Sequence, residues 1–422
     1  MFRFAPSSVG DMHIEDLRTA LFNFICAKQQ NDRFIVRIEN LDKKDAVEQK
    51  NKDTLEILNI FGITYGSLYY QRSNFKYHLQ FASTLLDQKK AFMCFCTDKE
   101  LKVKRKVAEV AKEPYRYDGT CENIGSEEIL NNRKPFVIRI KKPKQDLKFR
   151  DVIKGELSFK SDEIDSFVIM SVDKYPTHNF ACAIDDMLQG VTHVISSEKC
   201  LLDMPKQEYI RKSLGYNETI TYAHLPMILN GKSSVKKLLN QGFLPEAIIN
   251  YLVLLGNTIP KEIFMMDEVF DWFDINLISK LPTRFDMDKL RYINVQHIKL
   301  LSDVELAKRI GYSGNGIGKL AKFYTEESST TYEIKQIIDA MFTAKISSKK
   351  FTKNLEILKE IVRNAPIFDE FKEFKEYLTT KSGFEGEFLN IPLKILLTSN
   401  ENGTELVRLY PFIKNYLKEI AK

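Results

Sequence analysis

Long apolar runs, dense cysteine spacing, internal repeats and low-complexity linkers are all missing from this 422-residue chain. No stretch approaches the roughly 18 consecutive apolar residues that read as a membrane span. The first residues enter a strand-like segment without the charged-then-apolar layout of a signal peptide. Six cysteines in this length are too sparse for a disulfide framework. A cytoplasmic protein with reduced thiols, away from membranes, is expected. Strong charge of one sign is lacking too: a formal net charge of +6 is compatible with a nucleic-acid partner and equally with a solvated lysine-rich surface. What is present, 44% hydrophobic and 28% charged residues, describes an ordinary globular protein long enough for roughly two to four domains.

The stretch around which the chain is organised is Phe2 to Phe24. An apolar run carrying one cation, Arg3, precedes a breaker-rich loop from Pro6 to Asp11 and an amphipathic helix from about His13. Strand, small-residue turn and helix start is the layout by which α/β proteins present backbone N–H groups to a phosphate. The alternation continues through a strand at Phe34–Ile38 and helices at Asp45–Phe61 and Tyr77–Leu86, which argues for a parallel sheet covered by helices. From Cys94 to about Asp165 the texture changes. A charged helix (Lys99–Lys112) leads to a turn at Asp118-Gly119 and short strands at Phe136–Ile140 and Leu157–Phe159, read as an insertion with its own small core. A strand at Phe167–Val172 and a helix at Phe180–Met187 resume the α/β pattern, and from Leu244 onward the chain reads as helix.

These stretches together resemble a bacterial glutamyl-tRNA synthetase, a class I aminoacyl-tRNA ligase, over essentially the whole chain. RFAPSSVGDMHI resembles the family's opening RFAPSPTGxxHIG, and FIVRIENLD its RIEDTD strand. FACAIDDMLQGVTHVI is similar to FANVVDDxxxxITHVIR, and GFLPEAIINYLVLLGN to the segment that follows the family's second ATP loop. The resemblance implies an α/β class I Rossmann-like parallel-sheet catalytic domain with an inserted α+β subdomain, followed by all-α C-terminal domains. The implied divisions are a first catalytic half at 1–93, an acceptor-binding-like insertion at 94–165 and a second catalytic half at 166–243. A helical stem-contact domain at 244–320 and an anticodon-binding-like domain at 321–422 complete the set. It implies ATP with Mg2+, L-glutamate and tRNA, specifically tRNA(Glu), as reactants, and a monomer.

By the same resemblance, Ser7, Gly10, His13 and Lys232 would meet ATP, His13 steadying the phosphates and Lys232 or Lys236 the charge that develops on the leaving pyrophosphate. Arg3, Ser7, Glu39, His178 and Ser196 would surround the amino acid, a forked cation suiting a carboxylate and an anion an amine. Several positions depart from the family pattern. His13-Ile14-Glu15-Asp16 stands where the family has His-Ile-Gly-His. A carboxylate about 5 Å from one phosphate charge costs on the order of 3 kcal/mol at an effective dielectric near 20; acids in a first helical turn also stabilise the helix through its dipole. The lysine-bearing second loop is shortened by about nine residues to Gly231–Lys237 relative to that pattern, His178 replaces an aromatic, and Ser196 replaces an arginine. Weak or absent aminoacylation is therefore expected. An inactive paralogue acting as a tRNA-binding or protein-interaction module, or a ligase with another amino-acid substrate, remain open alternatives.

Cys94-Phe95-Cys96 with Cys121 resembles the zinc knuckle of some family members, with Asn123 at the fourth position. Buried free thiols are the alternative reading. His78, His193, His224 and His297 are expected to be packed or surface side chains, and the Tyr115-Arg116-Tyr117 cluster either faces an acceptor end or caps a turn.

Overall fold

The structure, a computed structural model, describes residues 1–6, 11–40, 47–231, 233–343 and 350–422. The chain forms two compact units, Met1–Lys236 with Leu252–Phe285, and Lys237–Tyr251 with Asp286–Lys422.

The first unit is built on a sheet whose central strand is the opening one. Strands β1 (Phe2–Phe4), β2 (Phe34–Ile38) and β3 (Ser67–Tyr70) run parallel. Between them lie helices α1 (Ile14–Gln29) and α2 (Val47–Ile60); the expected start of α2 at Asp45 lies outside the described residues. Every residue of β1 and β2 is buried, as continuous apolar runs in a parallel sheet require, and the two arginines inside them are carried into the interior. Helix α1 is buried on most of its circumference, from Ile14 and Leu17 through Phe22 to Ala27.

Further along come α3 (Phe75–Asp87), β4 (Ala91–Cys94), α4 (Asp98–Val110), α5 (Ser126–Asn131) and β5 (Val137–Ile140). The hairpin β6 (Leu147–Asp151) and β7 (Gly155–Phe159) is followed by β8 (Val168–Met170), α6 (His178–Gln189), β9 (His193–Ser197), α7 (Met204–Ser213) and β10 (Thr221–Leu225). The large sheet has the order β3-β2-β1-β9-β10-β6-β7, parallel except for the β6–β7 hairpin. A separate antiparallel sheet, β4-β5-β8, packs beneath α3 and α6 around Leu85, Ile140, Ile169 and Phe180.

The segment read as an insertion is therefore divided. A small core does form around Phe92, Cys94, Leu101, Tyr117 and Cys121. The strand expected at Leu157–Phe159 belongs instead to the hairpin that extends the main sheet through β10. Short strands β11 (Ile228–Leu229) and β12 (Thr283–Arg284) pair in parallel and complete the unit. The described residues of the second unit are helical, with helices such as Met287–Leu300, Thr331–Phe342, Thr352–Asn364 and Glu387–Thr398. No helix among the described residues is long and apolar enough to cross a membrane.

Strand order sets the location of the site. From β1 the chain winds outward through β2 and β3 on one side, while β9 and β10 lie on the other. At such a reversal the connections leave the carboxyl ends of neighbouring strands in opposite directions and open a crevice between them.

Candidate active site

A cleft of about 310 Å3 lies at that reversal. Its walls include Arg3, Ala5 and Pro6 at the end of β1, Asp16 on α1, Glu39 after β2, His178 and Cys182 on α6, and Ser196 and Ser197 on β9. Four of the residues proposed from the sequence, Arg3, Glu39, His178 and Ser196, thus share one cavity. Ser7, Gly10 and Lys232 lie outside the described residues. Lys236 is 3.7 Å from Asp53 and does not line the cleft.

Beside the cleft lies a buried charge cluster. Asp186, fully buried on α6, accepts from Arg3 Nε at 2.9 Å and Arg3 Nη2 at 3.2 Å, and from Arg37 Nη1 at 2.6 Å. Burial alone would raise the Asp186 carboxyl, but the Arg3 and Arg37 guanidiniums outweigh it and hold the group below the usual carboxylate range. Arg3 therefore reaches the cleft with one edge of its fork already bound, a geometry that fixes its orientation. Neighbouring Asp185 is engaged as well, accepting from Gln71 at 2.9 Å and Asn74 at 2.8 Å and lying 3.0 Å from His78 Nε2.

Glu39 is held by three neighbours. Arg37 Nη2 lies 3.4 Å from Oε1, the Cys182 thiol donates to Oε1 at 3.0 Å, and His178 Nδ1 lies 3.4 Å from Oε2. On the opposite side His224, buried on β10, has Nδ1 2.6 Å from Asp151 Oδ2, and its ring also lines the cleft. Burial would raise Asp151, and the hydrogen bond to His224 reverses this and lowers it.

The start of α1 is wired differently from the expectation. His13 is the N-cap, and its backbone N–H donates to Asp16 Oδ2 at 3.0 Å in a capping box. The segment from Ser233 to Val235 folds onto the same end: Ile14 N–H donates to the Ser233 carbonyl, Val235 N–H donates to the Met12 carbonyl, and His13 bridges Ser234. Glu15 was expected to oppose a nucleotide as an uncompensated charge. That expectation is corrected: Lys199 Nζ sits 2.5 Å from Glu15 Oε2, and Oε1 accepts the Ile228 N–H at 2.9 Å. Glu198 accepts the neighbouring Met227 N–H at 2.8 Å and pairs with Lys154. The two acids hold the backbone that leads into the second loop, and Lys199 supplies the missing cation.

The three thiols of Cys94, Cys96 and Cys121 gather within 4.8 Å of one another. Tyr117 stands among them: its hydroxyl accepts from the Cys94 thiol at 3.3 Å and from Cys121 N–H at 3.0 Å, and lies 3.5 Å from Cys96 Sγ. Asn123 is exposed and Glu122 faces Lys141 at 3.9 Å. Three soft sulfur donors with a phenol beside them fit a zinc ion, with Tyr117 rather than Asn123 nearest the fourth position. Tyr117 is packed in this core and not displayed for a partner. The four histidines set aside in the sequence are partnered: His78 with Asp185, His193 stacked on Phe2 at 4.3 Å, His224 with Asp151, and His297 with Asn250 at 2.8 Å.

Sequence reasoning missed Asp186, Asp151 and Lys199. One signal was available for the first: α6 carries two adjacent aspartates and the apolar strands carry two arginines, and buried charges of opposite sign must find each other. Nothing local linked Lys199 to Glu15.

Comparison with known proteins supplies the context. Residues 1–292 match the model of the class I tRNA synthetase (E and Q) catalytic domain. The chain is 50% identical over 432 residues to glutamate–tRNA ligase 1 of Campylobacter jejuni strain 81-176, covering all of both chains. It is 49% identical over 432 residues to glutamate–tRNA ligase 1 of a Nitratiruptor species, again over the full length of both. Among solved structures, a glutamate tRNA ligase from Elizabethkingia meningosepticum in complex with its amino acid superposes with a TM-score of 0.81. It is 25% identical, and the match covers 99% of this chain and 97% of that one. The glutamate-tRNA synthetase of Elizabethkingia anophelis gives 0.79 at 26% identity, covering 99% of this chain and 98% of that one.

Proposed function

The chain belongs to the family of class I tRNA synthetases for glutamate and glutamine, and on that premise we propose how its cleft serves the ATP-dependent attachment of glutamate to tRNA. In that reaction the glutamate α-carboxylate attacks the α-phosphorus of ATP and pyrophosphate leaves. A hydroxyl at the 3′ end of tRNA then attacks the activated carbonyl and AMP leaves. Magnesium accompanies the nucleotide.

The observation that carries the assignment of roles is the meeting of Arg3, Glu39, His178 and Ser196 in one cleft at the strand reversal. Glu39, anchored by Arg37, receives the substrate ammonium. Arg3, braced by Asp186, receives a carboxylate, and His178 and Ser196 border the side chain. His13 stands at the nucleotide end with Ser7, Gly10, Lys232 and Lys236 as further phosphate partners; compensation of Glu15 by Lys199 is what makes that end compatible with an anion. The acceptor is tRNA(Glu), the protein acts as a cytoplasmic monomer, and a zinc ion held by Cys94, Cys96 and Cys121 stiffens the small core. The five divisions at 1–93, 94–165, 166–243, 244–320 and 321–422 complete this reading. The comparisons lend no support to an inactive paralogue or to another amino-acid substrate.

Pyrophosphate exchange tests it directly. Glutamate-dependent exchange in the presence of tRNA should rise above background and fall by at least roughly 100-fold in Glu39→Ala, the scale of losing one charge-assisted contact in a desolvated site. No exchange with or without tRNA would sink the reading.

A further inference from the structure

We propose that Glu39, His178 and Cys182 form a binding site for a zinc-class divalent ion, open to the cleft and separate from the Cys94–Cys96–Cys121 cluster. His178 and Cys182 are one helical turn apart on α6, so their side chains rise on the same face, and Glu39 approaches that face from the end of β2. The three candidate donor atoms lie within 4.8 Å of one another. Glu39 Oε1 is 3.0 Å from Cys182 Sγ, Glu39 Oε2 is 3.4 Å from His178 Nδ1, and Cys182 Sγ is 3.6 Å from His178 Nδ1.

Those separations decide what the cluster can hold. Zinc bonds of about 2.0–2.3 Å to N, O and S in a tetrahedron place ligand atoms roughly 3.3–3.8 Å apart. The His178 Nδ1 to Cys182 Sγ distance falls in that range; Glu39 reaches Cys182 through Oε1 and His178 through Oε2, so a turn of its carboxylate is needed to set one oxygen at that distance from both. One nitrogen, one sulfur and one carboxylate oxygen is a donor set that suits zinc and disfavours magnesium or calcium, which take oxygen. Three protein ligands leave a fourth position. All three residues line the cleft, so that position is accessible to water or to a small molecule bound there, as in zinc sites that keep an open coordination place.

The nearest cation, Arg37 at 3.4 Å from Glu39 Oε1, is itself paired with Asp186, which limits its repulsion of an added ion. Cys182 is 2% exposed and Glu39 carries only 9% side-chain exposure, so both donors are largely shielded from solvent, while the His178 ring is 55% exposed and free to adjust. Burial and the Glu39 carboxylate keep the Cys182 thiol protonated in the absence of an ion, and coordination would deprotonate it outright. The released proton leaves to solvent. Because Glu39 is also assigned the substrate ammonium, an ion here would compete with that group; this consequence alone rests on the amino-acid reading, while the site itself stands on donor geometry.

The test is a metal titration and needs no activity. The full chain carrying Cys94→Ser, Cys96→Ser and Cys121→Ser, stripped of metal, is titrated with Co2+ and back-titrated with Zn2+. One equivalent is expected, with a thiolate-to-cobalt charge-transfer band and the intense visible bands of four-coordinate cobalt, displaced by zinc. Cys182→Ser should abolish the charge-transfer band, and His178→Gln should weaken binding by more than the roughly 10–100-fold that loss of an outer-shell partner costs. Absence of the band, or equal affinity with and without His178 and Cys182, would overturn the proposal. Should the triple variant fail to fold, zinc stoichiometry is compared in the wild-type chain and in Cys182→Ser/His178→Gln. A loss of one equivalent supports the site and an unchanged stoichiometry overturns it.

Discussion

Two acid–base clusters of the first unit use the same residue chemistry and differ in burial. Asp186 has no accessible surface, and the Arg3 and Arg37 side chains that serve it are 10% and 0% exposed. Glu15 keeps 18% of its side-chain surface and its partner Lys199 keeps 57%. In the first cluster, removing Asp186 strands two cations in a low-dielectric interior, where desolvation is uncompensated. In the second, water and salt screen what remains. The first is therefore structural scaffolding for the cleft, and the second is a solvent-screened pair at the start of α1.

The sharpest way to break this comparison is Asp186→Asn. It should lower unfolding free energy by about 3–5 kcal/mol in a denaturant titration, and a loss below about 1 kcal/mol would show that the cluster is not the brace described. Next in size is the acid response. The Asp186 carboxyl is depressed on folding, so its contribution is complete above the unfolded value near 3.9 and is lost as pH falls through the lower folded value. Wild-type stability should decline below about pH 4, and the Asp186→Asn chain should show a shallower decline over the same window.

His224→Phe leaves buried Asp151 without its imidazole partner, and about 1–3 kcal/mol should disappear from the unfolding free energy. The smallest change in stability belongs to Lys199→Ala, at or below about 1 kcal/mol. That variant should nevertheless raise the ATP KM in pyrophosphate exchange by about 10–100-fold, because it exposes Glu15 to the nucleotide without a counter-charge. A stability loss with no change in the ATP KM would reverse the roles assigned to the two clusters.

Much of the fold was legible because buried parallel strands write themselves as apolar runs. FRF and FIVRI became β1 and β2, and the amphipathic periods at Tyr77–Leu86 and Phe180–Met187 lie within α3 and α6. The β6–β7 hairpin was misplaced because its alternating pattern marks an edge pair exposed on one face without saying which sheet it joins. Its parallel partner, β10, lies some seventy residues further along (222 − 151). Within the site, the gathering of Arg3, Glu39, His178 and Ser196 followed from motif positions. What each is bonded to did not, since Arg3 and Asp186 are 183 residues apart and Glu15 and Lys199 are 184 apart.

The sequence by itself determined the class of fold, the family and the neighbourhood of the site, because those depend on local periodicity and on motifs that survive intact. Glu15 shows where that reach stops. Read alone it is a repulsive charge at a helix start, and a Coulomb estimate counts against a nucleotide there. Only the tertiary structure decided that a lysine two residues past the end of β9 lies 2.5 Å away and that the Ile228 N–H of β11 satisfies the other oxygen. The sign of an electrostatic effect at a site depends on the sum of all nearby charges, and nearness is a property of the folded chain.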